Sequence, residues 1–393
     1  MRYLSKLLDF EGKHLAGLDH LRALAIILVF LCHYRAYERP EWVEVIGSFG
    51  WVGVDLFFVL SGYLIGYQLL RYLQLNQVID FKHFYISRTL RILPAYFLVV
   101  TLYFMFPVLR ERGGIAPFWQ FITFTQNFNL DFGNEGSFSH AWSLCIEEQF
   151  YLLLPLTLTL IAQKGYLNKG MYILLFLFAA SMVVRAISWY YFMAPFYFHD
   201  ILDGRFVAYN KWVYYPTYNR LDGLLVGVGI AALMVFRPGL RDRLAAYGNQ
   251  LFFAGCAVII VAYFFLSKDR LDLLPTLFGY PLIAVGFGLM VLGALYPTCF
   301  LYHLRWKIST LIAALSYGIY LCHKFLNHLL QGPLQELGIP AESNWRLLIC
   351  AIVSVLGALL MHRFIEYPFL QWRNVLLRRR RTIRKVKEAW SSK

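Results

Sequence analysis

Hydrophobic positions along the chain gather into long segments that short polar connections separate. The ten segments run from Leu18 to Tyr34, Trp51 to Tyr72, Ile92 to Leu109, Trp142 to Ala162, Met171 to Met193, Leu221 to Phe236, Leu251 to Leu266, Leu274 to Tyr296, Leu311 to Leu330 and Trp345 to Phe364. A membrane-spanning helix needs about 20 mainly apolar residues, so the shorter segments predict tilted or broken helices. The pattern predicts an all-α, polytopic membrane protein with about ten transmembrane helices.

Basic residues accumulate on one alternate set of connections, and this placement predicts the orientation of the chain. Lys and Arg favour the cytoplasmic side of short loops. Arg71, Lys164 and Arg237 lie in the basic set, which continues in a tail that begins near Arg378. The alternate connections, such as YERPEWVEV and QGPLQELGIPAESN, are acidic or neutral. We therefore expect both termini to face the cytoplasm.

The composition supports the same interpretation. The chain has 393 residues, of which 59% are hydrophobic, and a formal net charge of +14 that the basic loops and tail explain. A basic tail beside a membrane is more typical of an anchor on anionic lipid than of a nucleic-acid site. We expect a cytoplasmic N-terminal segment (1–17), a transmembrane domain (18–369) and a basic cytoplasmic tail (370–393). No cleavable signal peptide is expected, and the oligomeric state is not readable from the sequence.

The first segment carries two ionisable side chains on one helix face. Arg22 and His33 are eleven residues apart, which is three helical turns and a rise of about 16 Å. Each alone has a simple explanation, because Arg can reach the interface and His can sit there. Together on one face they indicate a functional site, since ionisable groups in a membrane are costly. His33 is the first candidate for a general base.

The second and third segments add a carboxylate and a pair of arginines. Asp55 lies about one turn inside the second segment, and orienting a neighbouring imidazole is a natural role for a buried carboxylate. Arg88 and Arg91 precede the third segment at a spacing that places both on one face. Two such arginines can grip a diphosphate. Simple cytoplasmic anchoring is the alternative for this pair.

The fourth segment opens with the densest polar cluster in the chain. His140, Ser143, Glu147 and Tyr151 recur at helical spacing and form one stripe, whereas Glu148 shares its face with apolar residues. Glu147 is therefore the predicted inward carboxylate, with His140 and Tyr151 as supporting residues. We expect these groups, with His33 and Asp55, to lie toward the outer side and the arginines toward the cytoplasm.

Two charged residues open the sixth segment. Arg220 and Asp222 are expected to pair with each other or with the cluster around Glu147. Farther along, His323 lies inside the ninth segment with Lys324 directly after it. A donor with a phosphorylated head and a long thin arm, such as coenzyme A, could span the distance between the arginines and the histidines.

Seven motifs in this chain resemble those of the acyltransferase-3 family of integral membrane acyltransferases, and they occur in the expected order. They are LDHLRALAIILVFLCH, GWVGVDLFFVLSGYLIG, FYISRTLRILPAYF, HAWSLCIEEQFYLLLPL, YNRLDGLLVG, LSYGIYLCH and RFIEYPF. The resemblance implies a multi-pass protein of a bacterial inner membrane, without the esterase-like extracytoplasmic domain that some members carry. His20 and Lys324 depart from the family pattern, and Lys324 leaves the role of His323 open.

The resemblance also implies an activity. Members move an acyl group, usually acetyl from acetyl-CoA, to a sugar hydroxyl of a surface or secreted glycan. The family's arginine and histidine fall on Arg22 and His33, its paired arginines on Arg88 and Arg91, and its motif glutamate on Glu147. The expected donor is acyl-CoA, no metal is expected, and the acceptor could be a lipopolysaccharide, another polysaccharide, peptidoglycan or a small glycoside.

The residues leave two questions open. His33, oriented by Asp55 or Glu147, could deprotonate the acceptor hydroxyl or carry the acyl group itself. A proton-coupled transporter or glycan exporter without acyl transfer is the rival function, because intramembrane His and carboxylates also form proton relays.

Overall fold

The described part of the chain is built from helices. The computed structural model describes residues 16–76, 78–199, 204–267 and 269–377, in which we find no strand beyond one isolated bridge. The ten long helices are α1 (Ala16–Tyr34), α2 (Val52–Asn76), α3 (Phe81–Met105), α4 (Trp142–Gln163), α5 (Gly170–Phe192), α6 (Asp222–Phe236), α7 (Gly248–Ser267), α8 (Leu273–Ala294), α9 (Lys307–Glu336) and α10 (Asn344–Met361). The all-α prediction is confirmed.

Each of the ten predicted segments overlaps one of these helices. Within the described ranges, eight helical stretches are long and apolar enough to cross a membrane. The helix α6 is apolar but has only 15 residues, and α9 has 30 residues with more polar positions. The protein is therefore a multi-pass membrane protein, while the count of ten spans and the sidedness of the termini stay predictions. The basic residues from Arg378 onward and the segment before Ala16 lie outside the described residues.

The third helix differs from its prediction at its start. The segment was expected to begin at Ile92, but α3 begins at Phe81, because the side chain of Asp80 accepts a hydrogen bond from the backbone N–H of His83 and caps the helix. Hydropathy alone misses this polar first half. Arg88 and Arg91 consequently lie within α3 and not in a connection ahead of it.

Glycines allow the central helices to approach closely. A Cβ atom at Gly62 of α2 would overlap the backbone carbonyl of Leu224 in α6, and one at Gly227 would overlap that of Val59. Small residues of this kind are how membrane helices bring their backbones together. The helices α2 and α6 accordingly form one of the most extensive helix pairs.

A short helix, Glu41–Phe49, follows α1, and ion pairs connect it to the turn between them. Arg35 Nη2 lies 2.6 Å from Glu44 Oε1, and Arg39 Nε donates to Glu44 Oε2 at 2.7 Å. Hydrogen bonds from Arg35 first, and then from Arg39, lower the pKa of Glu44 from 4.5 to about 2, against a small opposing effect of burial. Glu44 therefore joins the turn after α1 to the short helix at neutral pH.

Candidate active site

A cavity of about 350 Å³ lies between α1, α2, α3, α4 and α9, and we call it the arginine cavity. Its polar and charged lining residues are Asp19, Arg22, Ser61, Gln68, Arg88, Arg91, Ser143, Glu147, Glu148, Tyr151, Ser316, Tyr317 and Tyr320. The three arginines that the sequence suggested for phosphate binding thus line one space, although they come from two different helices.

The arginine cavity holds cations and carboxylates together. The hydroxyl of Tyr151 donates to Glu147 Oε2 at 2.8 Å, and the guanidinium of Arg88 lies over the Tyr151 ring, 5.6 Å from its centre. Arg88 Nη2 also donates to Gln68 Oε1 at 3.4 Å. Within the described part of the chain no carboxylate forms an ion pair with Arg88 at 4 Å or less. Its guanidinium is therefore held by neutral groups and is suited to receive an anion.

The position of Glu147 corrects one prediction. Glu147 was expected beside His33 in an outer layer, but it lines the same cavity as Arg22 and Arg88. Glu148, which was predicted to face away, lines this cavity as well. The reason is that the cavity covers more of the surface of α4 than the single stripe on which the prediction relied.

Three histidines meet next to the arginine cavity, and we call His33, His140 and His323 the histidine cluster. Nδ1 of His33 lies 2.8 Å from Nε2 of His323, and their rings stack at 5.0 Å between centres. The His140 ring lies 5.5 Å from that of His33 and 5.3 Å from that of His323. These residues come from α1, the turn before α4, and α9, so the cluster exists only in the folded chain.

The hydrogen bonds of the histidine cluster fix the proton positions in the neutral rings. Nδ1 of His323 lies 2.8 Å from the carbonyl oxygen of Ile319, which can only accept, so this nitrogen carries the proton. Nε2 of His323 is then an acceptor, and the Nδ1–H group of His33 donates a hydrogen bond to it. Nε2 of His33 is left with a lone pair. A ring in this tautomer is ready to act as a base.

The third ring of the cluster has one nitrogen without a protein partner. Nε2 of His140 donates to the carbonyl oxygen of Tyr320 at 3.0 Å, which leaves Nδ1 as an acceptor. Among the described residues, this buried Nδ1 atom has no hydrogen-bond partner. A second lone pair is therefore present in the cluster.

A single layer of side chains separates the arginine cavity from the histidine cluster. Tyr320 and Ser143 line the cavity, with their hydroxyl oxygens 2.6 Å apart. The Tyr320 hydroxyl also donates to the backbone carbonyl of His140, and the two rings lie 5.3 Å apart. His33 does not line the cavity itself. Tyr320 and Ser143 therefore lie between the arginine cavity and the histidine cluster.

Asp55 has a different partner from the one predicted. Its Oδ1 atom accepts from Arg220 Nη2 at 2.8 Å, and both side chains are almost fully buried. The prediction that Asp55 or Glu147 orients His33 is wrong in the structure, because His323 makes that contact. The guanidinium of Arg220 also lies 4.2 Å from the centre of the Tyr280 ring. These contacts join α2 to the start of α6 and to α8.

The partner predicted for Asp222 is also wrong. Among the described residues Asp222 forms no ion pair with Arg220; it binds the fully buried Arg185 of α5. Arg185 also donates to the backbone carbonyl of Asn219. The sequence analysis did not select Arg185, although a lone arginine in an apolar segment is itself a signal.

Another ion pair, between Lys324 and Glu111, lies beside the histidine cluster. Nζ of Lys324 is 2.6 Å from Glu111 Oε1, and the Tyr103 hydroxyl donates to Glu111 Oε2 at 2.9 Å. Burial alone would raise the pKa of Glu111, but Lys324 and the hydrogen bonds hold it below its ordinary value. The lysine that departs from the family pattern therefore closes one side of the cluster and leaves His323 in it.

Comparison with known proteins places the chain in a family. The sequence profile described as an acyltransferase domain, that of the acyltransferase-3 family, matches residues 15–363. The chain belongs to the acyltransferase-3 family. No solved structure matches it. Within the described residues, no group of His, Cys, Asp and Glu side chains has the arrangement of a metal site.

Several curated proteins are similar to this chain. YrhL of Bacillus subtilis (strain 168) is 29% identical over 96% of the chain, and the O-acetyltransferase OatA of Staphylococcus aureus (strain NCTC 8325 / PS 47) is 27% identical over 91%. The peptidoglycan O-acetyltransferase OatA of Listeria monocytogenes is 30% identical over 91% of the chain. The chain spans 58%, 58% and 56% of the lengths of these three relatives, respectively.

Proposed function

We propose that this protein is a membrane O-acyltransferase that moves an acyl group, in the simplest case acetyl, from acyl-CoA to a sugar hydroxyl of peptidoglycan. Membership of the family supports the class of reaction. The name of the Listeria relative favours peptidoglycan over the lipopolysaccharide that the sequence left open. The observation that carries the proposal is the position of an arginine-lined cavity next to the histidine cluster, in which the Nε2 atom of His33 is free to accept a proton.

The arginine cavity is the proposed donor site. Arg22, Arg88 and Arg91 supply guanidinium groups that bind phosphate oxygens in pairs. Arg88 is the strongest candidate for binding phosphate. Its guanidinium contacts the neutral side chains of Gln68 and Tyr151, and it pairs with no carboxylate among the described residues. Glu147 and Tyr151 then position the arginines and do not act at the reacting carbonyl.

The histidine cluster is the proposed site of acyl transfer. Nε2 of His33 takes the proton of the acceptor hydroxyl while the hydroxyl oxygen attacks the thioester carbonyl carbon. The bond between carbon and sulfur breaks, and the departing thiolate receives the proton from His33. The products are the sugar ester and coenzyme A with a free thiol. During the reaction His323 accepts the hydrogen bond from Nδ1 and stabilises the charged imidazole.

The direct test follows label from donor to glycan. Inside-out membrane vesicles receive radiolabelled acetyl-CoA, and wild type is compared with His33→Ala at equal expression. We expect label in the peptidoglycan fraction that depends on His33. His328→Ala, a change in the half-buried histidine of α9 outside the cluster, is the matched control and should retain labelling. No label with wild type, despite intact donor and glycan, would refute the proposal and favour a transporter or exporter.

A second test addresses the donor site. Replacing both Arg88 and Arg91 with alanine should raise the apparent KM for acetyl-CoA, because two phosphate contacts are lost. Lys82→Ala, an exposed change in the same helix, is the control for a general loss of positive charge. Unchanged dependence on the donor concentration would remove these arginines from that role.

A further inference from the structure

A second cavity, of about 490 Å³, lies where the end of α9 meets the start of α10. Its lining residues are Tyr37, Glu38, Gln331, Gln335, Arg346 and the segment 338–341. Side-chain amides, a carboxylate and an arginine are the groups that proteins use to bind sugar hydroxyls and their polar substituents. None of these residues has a role in the reaction described above.

The second cavity lies on the opposite side of the histidine cluster from the arginine cavity. Along α9, Tyr320 lines the arginine cavity, His323 belongs to the cluster, and Gln331 lines the second cavity. Eleven residues of helix separate Tyr320 from Gln331, a rise of about 16 Å. The first helix repeats this order, with Arg22, then His33, and Tyr37 just after its end.

Tyr37 connects the second cavity to the segment of α9 that carries His323. The Tyr37 hydroxyl donates to the backbone carbonyl of Lys324 at 3.4 Å, directly after His323 in α9. A group bound in this cavity would thus lie on the side of the cluster away from the arginine cavity, from which an acceptor could approach.

Arg346 is the residue in this cavity that calls for a ligand. It is 4% exposed, its Nη2 atom donates to the carbonyl of Gln331, and its buried Nε atom has no hydrogen-bond partner among the described residues. The other two deeply buried arginines, Arg185 and Arg220, each bind an aspartate. Within the described ranges no carboxylate pairs with Arg346. A buried guanidinium without a counter-charge is costly, so an anionic oxygen is its natural partner.

We propose that the second cavity binds the acceptor glycan and that Arg346 recognises a carboxylate on the acceptor sugar. This inference rests on the proposed function, since it assigns the acceptor side of that same reaction. Glu38 and Gln335, both exposed at the cavity, contact the sugar hydroxyls. Muramic acid whose lactyl group carries no stem peptide has the required chemistry, because the carboxyl of that group is then a free carboxylate.

Two disaccharides isolate the contribution of that carboxylate. The full chain in lipid nanodiscs is dialysed against radiolabelled N-acetylglucosaminyl-N-acetylmuramic acid or against diacetylchitobiose, which lacks the lactyl group. We expect wild type to bind the first disaccharide more tightly. Arg346→Gln should weaken its binding by about tenfold or more, because a charge-assisted contact is lost, and should leave diacetylchitobiose unaffected. Arg346→Lys should retain part of the preference.

Controls separate this inference from a folding defect and from the proposed function. Arg305→Gln, an exposed change in the connection before α9, should leave both affinities unchanged. If Arg346→Gln does not fold, Gln335→Ala takes its place and should weaken binding of both disaccharides. Equal affinity of wild type for the two sugars, binding of neither, or unchanged affinity in Arg346→Gln would overturn the inference. Sugar binding without acetyl transfer would count against the proposed function alone.

Discussion

Replacing His323 with leucine removes the acceptor for the proton on Nδ1 of His33. In the folded chain that proton lies on a 2.8 Å contact to Nε2 of His323, which the Ile319 carbonyl holds in the accepting tautomer. Without the contact, the His33 ring can rotate or move its proton to Nε2. Either change takes away the lone pair that the proposed reaction uses. His323 is therefore a positioning residue, since it acts through His33.

The size of the effect follows from the contact that is lost. A buried polar group left without its partner costs about 1 to 3 kcal/mol. If this cost appears in the transition state, the rate falls about 5-fold to 150-fold, since each 1.4 kcal/mol is a factor of ten. We expect the loss in kcat. The KM for acetyl-CoA should not change, because His323 does not line the arginine cavity.

The assay is the vesicle reaction with varied acetyl-CoA, for wild type, His323→Leu and His323→Gln. Glutamine offers a carbonyl oxygen that can accept from His33 Nδ1, so His323→Gln should recover part of the lost kcat. His328→Leu serves as the control for a leucine in the same helix. Full activity in His323→Leu would refute the tautomer argument. A raised donor KM with unchanged kcat would assign His323 to the donor site instead.

The remaining predictions concern stability, measured as the melting temperature in detergent. Asp55→Asn leaves Arg220 buried without a counter-charge and should lower the stability by about 3 to 5 kcal/mol. Combining Asp55→Leu with Arg220→Met should recover most of this loss. An unchanged melting temperature in Asp55→Asn would contradict the prediction. Gly62→Ala should lower the stability by about 1 to 3 kcal/mol, because the added methyl group overpacks the contact with α6. Gly229→Ala, which has open space around its Cβ atom, should leave the stability unchanged. Equal effects of the two changes would refute the close contact. Glu44 has a pKa lowered to about 2 from 4.5, so its stabilisation is present above about pH 4.5 and lost as the pH falls through 2. The gap between wild type and Glu44→Gln should close over that window, and a constant gap would argue against the ion pairs.

Periodicity predicted the local features of the site well. The spacing of Arg88 and Arg91 predicts one shared face, and both line the arginine cavity. The polar stripe that begins just before α4 also faces the site, as its helical spacing predicts. His140 lies in the histidine cluster, and Glu147 and Tyr151 line the arginine cavity. Faces of helices are set by residues close in sequence. A single chain therefore contains enough information to predict them.

Partners across helices were beyond the same reasoning. Asp55 and Arg220 are 165 positions apart, and His33 and His323 are 290 apart. Helical spacing says which face a residue lies on but not which helix packs against it. Arg185 shows the limit most clearly, because its partner Asp222 was identified in the sequence and the arginine was not.

The order of sites along α1 and α9 constrains any reaction in this fold. Arg22 and His33 are separated by about 16 Å of helix, so a donor held by its phosphates at Arg22 needs an arm of that order to bring its acyl group to the histidines. The layer formed by Tyr320 and Ser143 lies on that path. This distance is the reason why the proposed function names a coenzyme A thioester as the donor, since its long, narrow arm could bridge the distance while its charged head stays at the arginines.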